Sequence, residues 1–155
     1  MAGFIAAIGS MGVSTTAFNL LGNLGVRTVS KWAPSYSGAV LAGISSTAFF
    51  VLGHMTSKAV ISDGSGNVSP KRNLYILTVT LIGGAALPHL LAPLTKSKIS
   101  LTASIVYSIL GHFGNNFGLS VVSKFEDSPK TFSKSLEEFR DEHLEIWNYL
   151  TSSKA

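Results

Sequence analysis

Formal charge is missing from four long stretches of this chain and is concentrated in the short segments between them. No Asp, Glu, Lys or Arg occurs from Met1 to Val26, from Trp32 to Ser57, from Asn73 to Thr95 or from Ile99 to Ser123. The gaps hold Arg27 and Lys31, then Lys58, Asp63, Lys71 and Arg72, then Lys96 and Lys98. An amphipathic helix facing water places charge on its wet side every turn or two, and these stretches do not. Each is longer than the roughly 20 residues that a helix rising 1.5 Å per residue needs to cross about 30 Å of hydrocarbon. The pattern predicts an all-α polytopic membrane protein. Four transmembrane helices, at about 3–26, 37–58, 73–95 and 99–123, form an antiparallel bundle over residues 1–123, and a soluble amphipathic helical tail occupies 124–155.

Composition agrees with that reading. Charged residues make up 13% of the chain, against roughly 25% in ordinary soluble domains. The chain has no cysteine, which excludes structural disulfides, thiolate metal sites and cysteine nucleophiles. The windows are rich in Gly, Ser, Thr and Asn, and the first is the least apolar, with Asn19 and Asn23 inside it. Such residues suit helices that pack closely on one another in a membrane. Small-xxx-small spacings appear at Gly38 and Ala42 in the second window and at Gly114 and Gly118 in the fourth, the latter flanking Asn115 and Asn116. These four are the expected helix-packing residues, within the bundle or between copies. Pro88 and Pro93 are expected to kink or interrupt the third helix.

Orientation follows from Lys and Arg counted on alternate sides. Lys58, Lys71, Arg72, Lys124, Lys130, Lys134 and Arg140 fall on one side, against Arg27, Lys31, Lys96 and Lys98 on the other. Both termini are therefore expected on the cytoplasmic side or its organellar equivalent, with the identity of the membrane left open. No Lys or Arg precedes Arg27, so the first segment reads as a retained span rather than a cleaved signal. Trp32, Tyr36, Tyr75 and Tyr107 fall near span ends, where amphipathic rings favour the interface. The Asn67-Val68-Ser69 acceptor pattern would lie on the wrong side for glycosylation.

The tail is a different kind of sequence. Asp127, Ser128 and Pro129 form a helix start. Phe132, Leu136, Phe139, His143, Ile146, Trp147 and Leu150 then recur every three or four residues among charged neighbours. Seven of the eight acidic residues lie beyond Lys124. An acidic helix is a poor match for anionic lipid, so Phe132, Leu136, Phe139 and Trp147 are the expected contacts for a partner protein, with folding back onto the bundle as the structural alternative.

Catalytic and nucleotide-binding motifs are lacking, and no catalytic residue is assigned. The basic residues sit beside spans, where topology accounts for them, and nucleic acid is not an expected partner. Within the windows the ionisable groups are His54, His89 and His112. An ionisable residue in a membrane is a functional-site candidate by default. His54 and His112 lie on helices of the same direction, each after Leu-Gly, so they form a candidate axial pair for haem b or a contact for quinone, with Gly53 and Gly111 leaving room for a flat macrocycle. His89 lies at a different depth, and no metal site is assigned. The alternative is that each imidazole bonds a nearby carbonyl or hydroxyl and ties helices together.

Three functional classes remain. A non-enzymatic scaffold, assembly factor or accessory subunit, self-associating or bound to another membrane protein, needs the fewest assumptions. A small channel or transporter, or a haem- or quinone-binding anchor using His54 and His112, are the alternatives.

Overall fold

The computed structural model describes residues 2–31, 33–61, 69–123 and 132–152. Five α-helices make up the fold: α1 (Ala2–Val29), α2 (Tyr36–Val60), α3 (Pro70–Thr95), α4 (Leu101–Ser123) and α5 (Phe132–Ser152). No strand occurs among the described residues. The expected span bounds fall within a few residues of α1 to α4. Three of these helices are long and apolar enough to cross a membrane, over Gly3–Thr28, Tyr36–Val60 and Pro70–Thr95.

Local chemistry sets the helix ends. Ser35 caps α2 by accepting the Gly38 N–H at 3.1 Å, and Ser69 caps α3 by accepting the Arg72 N–H at 3.3 Å, with Pro70 in the first turn. These side chains satisfy backbone donors that lack an intrahelical partner. Lys96 closes α3 in the left-handed conformation, φ 52°. Of the kink or break expected at the prolines, the break does not occur: α3 runs without interruption through Pro88 and Pro93. Prolines are tolerated inside membrane helices where neighbouring helices support the backbone, and Pro88 is buried in the bundle. Trp32, the Asn67-Val68 part of the glycosylation pattern and the Asp127-Ser128-Pro129 helix start lie outside the described residues.

Sequential helices run antiparallel, and α2 and α4 form a parallel diagonal in mutual contact. α1 packs on α2 and α4, and α3 packs on α2 and α4. Glycines set the separations. A Cβ at Gly114 would stand 2.5 Å from Thr15 Cα, one at Gly118 would stand 2.6 Å from Met11 Cα, and one at Gly38 would stand 2.9 Å from Lys98 O. Ala42 is fully buried beside Ala39, Ala103 and Tyr107. Halfway along the bundle, Gly111 faces Ser46 and Thr15 while Gly84 faces Ser46 and Ser108, so one layer of small residues joins all four helices.

Beside that layer lies the main polar junction. Asn115 Oδ1 accepts from Thr15 Oγ1 and from Thr47 Oγ1, each at 2.9 Å, and Asn115 Nδ2 donates to Ser46 Oγ at 3.4 Å. One amide therefore ties α4 to α1 and α2. Asn19, in the orientation that satisfies both ends of its amide, donates to Tyr107 O at 3.1 Å and accepts from Gly43 N–H at 3.0 Å. Ser108 Oγ links α4 to α3 through Leu81 O at 3.1 Å.

This junction makes a specific prediction for unfolding in detergent. Asn115→Ala should lower stability by about 1–2 kcal/mol, from bonds worth roughly 0.6 kcal/mol each in a membrane bundle. Gly118→Val should cost more, because the added carbons meet backbone. Asn116→Ala, which removes a bond to the His112 carbonyl of its own helix, should have less than half the effect of Asn115→Ala. Equal effects at 115 and 116 would contradict the assigned junction.

Candidate functional site

Toward the C-terminal ends of α2 and α4, a cavity of about 170 Å³ opens between α2, α3, α4 and α5. Its polar wall carries His54, Arg72, Asn73, His112, Asn116, Glu142 and His143, and Phe50, Ile76, Leu77, Leu119 and Ile146 supply the apolar part. The tail closes one side: α5 packs on α3 and α4, with Phe139 against Phe113 at 4.8 Å between ring centroids and Ile146 buried.

The three imidazoles in the cavity differ in their bonding. His54 Nδ1 lies 3.0 Å from Phe50 O, and His143 Nδ1 lies 2.7 Å from Phe139 O. A carbonyl only accepts, so Nδ1 carries the proton in both rings and, in the neutral form, Nε2 is left as an acceptor. His112 is 7% exposed and neither of its ring nitrogens has a partner. Its ring stands edge-on to His143 at 5.3 Å and lies 5.7 Å from Phe139. A neutral His112 can donate one hydrogen bond and accept another from a small polar molecule in this cavity. Arg72 Nε donates to Ser57 Oγ at 3.0 Å, which holds the guanidinium at the rim.

The structure thus brings His54 and His112 to one cavity, but not as two faces of an open slot. The Phe50 ring packs on both imidazoles, 4.4 Å from His54 and 5.9 Å from His112, and a macrocycle held by the pair would compete with that packing. Gly53 and Gly111 do not provide the expected room. Gly53 lies against the Ile76 backbone and Gly111 against Ser46, because both glycines serve helix packing. His89 sits apart on α3, with a buried, unpartnered Nε2. Among the described residues no group of three or more His, Cys, Asp or Glu side chains is placed to hold a metal ion.

His143 and Arg72 are among the members of the site that sequence reasoning missed. His143 occupies an apolar-stripe position of the tail, and that was its available signal: an imidazole where the helix period calls for an apolar side chain. Arg72 read only as a flanking charge. Of the expected partner-binding residues, Phe139 faces the bundle, Leu136 and Trp147 are 50% and 65% exposed, and the side chain of Phe132 lies outside the described residues. A second cavity, about 160 Å³ and almost entirely apolar, is lined by Leu136 and Phe139 of the tail and by Phe18, Phe113 and Phe117 of the bundle. Comparison with protein-family models, with curated proteins and with solved structures finds no match to this chain.

The position of Phe50 leads to a spectroscopic prediction. Protein purified in detergent from a haem-sufficient host should show no Soret band, oxidised or reduced. A Soret band that His112→Ala abolishes would mean that the aromatic packing opens to admit haem iron.

Proposed function

We propose that this chain is a multi-pass integral membrane protein that crosses the bilayer four times, and that it works as a non-enzymatic scaffold, assembly factor or accessory subunit whose tail docks a partner protein. The observation that carries the reading is an inverted distribution of polarity. Thr15, Asn19, Asn23, Ser45, Ser46, Thr80, Ser104, Ser108 and Asn115 are buried, while Val13, Leu21, Ile44, Leu52, Ile82, Leu90, Leu101, Ile105 and Ile109 are exposed. In water this arrangement wastes the hydrophobic effect. In hydrocarbon, helices gain nothing by hiding leucine and associate through close packing and interhelical hydrogen bonds.

α4 is not among the three helices apolar enough to span, and His112, Asn115 and Asn116 interrupt its apolar run. Asn115 and His112 are turned inward, whereas Leu101, Ile105, Ile109 and Phe113 form an exposed apolar stripe at intervals of four residues. α4 also touches α1, α2 and α3, the three helices apolar enough to span. A helix packed along three spanning neighbours shares their environment. Four crossings place both termini on one side, and the Lys and Arg bias makes that side cytoplasmic or its organellar equivalent.

Support for a docking tail comes from α5, where Leu136, Leu144, Trp147 and Leu150 remain exposed among acidic residues. A protein partner with an apolar, basic face fits that surface. At mid-bundle, Thr15, Thr47 and Ser46 bond Asn115 rather than line a path, which weighs against a channel through that layer. A second reading, a small hydrogen-bonding ligand such as a quinone head group in the histidine cavity, draws on the two unpartnered nitrogens of His112.

Because the chain has no native cysteine, topology can be mapped with single cysteines and an impermeant maleimide in sealed vesicles. Lys71→Cys and Glu145→Cys should label from the same side, and Lys98→Cys from the opposite side. Glu145→Cys labelling together with Lys98→Cys would show that α4 does not cross.

A further inference from the structure

We infer that α5 and lipid acyl chains compete for the same face of the bundle, so that the tail leaves α3 and α4 when α1 to α4 enter a bilayer. The inference rests on the four-span reading. It begins with depth. Gly111 belongs to the layer of Thr15, Ser46 and Gly84 halfway along all four helices, and His112 and Phe113 follow it directly. α5 docks at that level: Phe139 lies 4.8 Å from Phe113, and His143 lies 5.3 Å from His112. From there α5 reaches across α3, where Tyr149 lies 6.0 Å from Lys71 Nζ at the helix start.

If the mid-layer sits near the bilayer centre, the docked tail is immersed in the inner leaflet. The outward face of α5 carries Glu137, Arg140, Asp141 and Glu145, all exposed. Arg140 and Asp141 bond only side by side at 2.8 Å and are 66% and 57% exposed. A lipid-facing row of charges at that depth is the arrangement that intramembrane ionisable residues avoid. Away from the polar wall of the histidine cavity, the surface beneath the tail suits acyl chains. Phe113 is itself exposed beside α5, and the cavity between tail and bundle is walled by Phe18, Phe113 and Phe117. The docked tail therefore belongs to the chain outside a bilayer, where Phe139 and Ile146 shield this face from water. In the membrane the released helix presents Phe139, His143 and Ile146, in addition to Leu136 and Trp147, on the side where a soluble partner can reach it.

Single cysteines test this in proteoliposomes opened so that reagent meets both leaflets. Ile146→Cys is buried against the bundle when α5 is docked, and Glu145→Cys is its exposed neighbour. Ile82→Cys reports insertion, since Ile82 is on the exposed apolar surface near mid-depth. The expected result is equal maleimide rates at 145 and 146 with Ile82→Cys shielded. An Ile146→Cys rate lower by about tenfold or more, with Ile82→Cys shielded, would overturn the inference while leaving the membrane reading intact. Rapid labelling of Ile82→Cys would remove the membrane reading and this inference with it. Hydrogen exchange of the unsubstituted chain guards against the cysteine itself loosening the tail: in vesicles the amides of the docking face, 139, 143 and 146, should be no better protected than those of the exposed face, 140, 141 and 145. Protection confined to the docking face would overturn the inference.

Discussion

The Asn115 amide is the interaction on which the rest of the bundle depends. Its oxygen takes hydroxyl protons from both α1 and α2, and its nitrogen reaches Ser46 on α2. That geometry requires the backbones of α1 and α2 to converge on α4, and Gly111, Gly114 and Gly118 allow it by leaving no Cβ between α4 and Ser46, Thr15 or Met11. In a low-dielectric interior an unpaired amide is costly, so the hydrogen bonds and the close approach require each other. The register of α1 on α4 follows, from Ser10 at Gly118 to Thr15 at Gly111.

A bundle built this way has little apolar material left for its centre. The fully buried side chains are mostly Asn, Ser and Thr, with Tyr107 the largest, and the large aliphatic residues point outward. Such an interior holds together where the surroundings are themselves apolar and the helices compete for polar partners rather than for dryness. The same logic makes the tail conspicuous. α5 is the one helix with a charged outer face, and it lies against the bundle by means of Phe139 and Ile146.

Much of this architecture was legible because hydrocarbon leaves a one-dimensional signature: a charge-free run long enough to cross it. The bounds of α1 to α4, the short α3–α4 turn and the packing positions Gly38, Ala42, Gly114 and Gly118 all lie in local sequence. Neighbour relations do not. Spacing placed Asn115 and Asn116 together between two glycines, yet only the bundle shows that Asn115 turns inward to three hydroxyls while Asn116 faces the cavity. The pairing of His54 with His112 came from helix direction and depth, which are readable. The intrusion of Phe50 and the arrival of His143 are tertiary facts, since one depends on rotation about α2 and the other on where the tail docks. Pro88 and Pro93 suggested a broken helix from local rules, and the packed surroundings of α3 override them.

α4 is the helix whose polar residues make a place in the membrane least obvious from composition. Spin labels placed one at a time along residues 101–121 in liposomes would report collision rates with oxygen, which concentrates in hydrocarbon, and with a water-soluble nickel chelate. The account predicts a helical period of about 3.6 residues, with oxygen maxima at 101, 105, 109 and 113, minima at 104, 108, 111 and 115, and negligible nickel contact between 105 and 113. Nickel contact peaking at 105 and 109 would mean that the apolar stripe of α4 faces water, and it would contradict the claim that this helix crosses the bilayer with the other three.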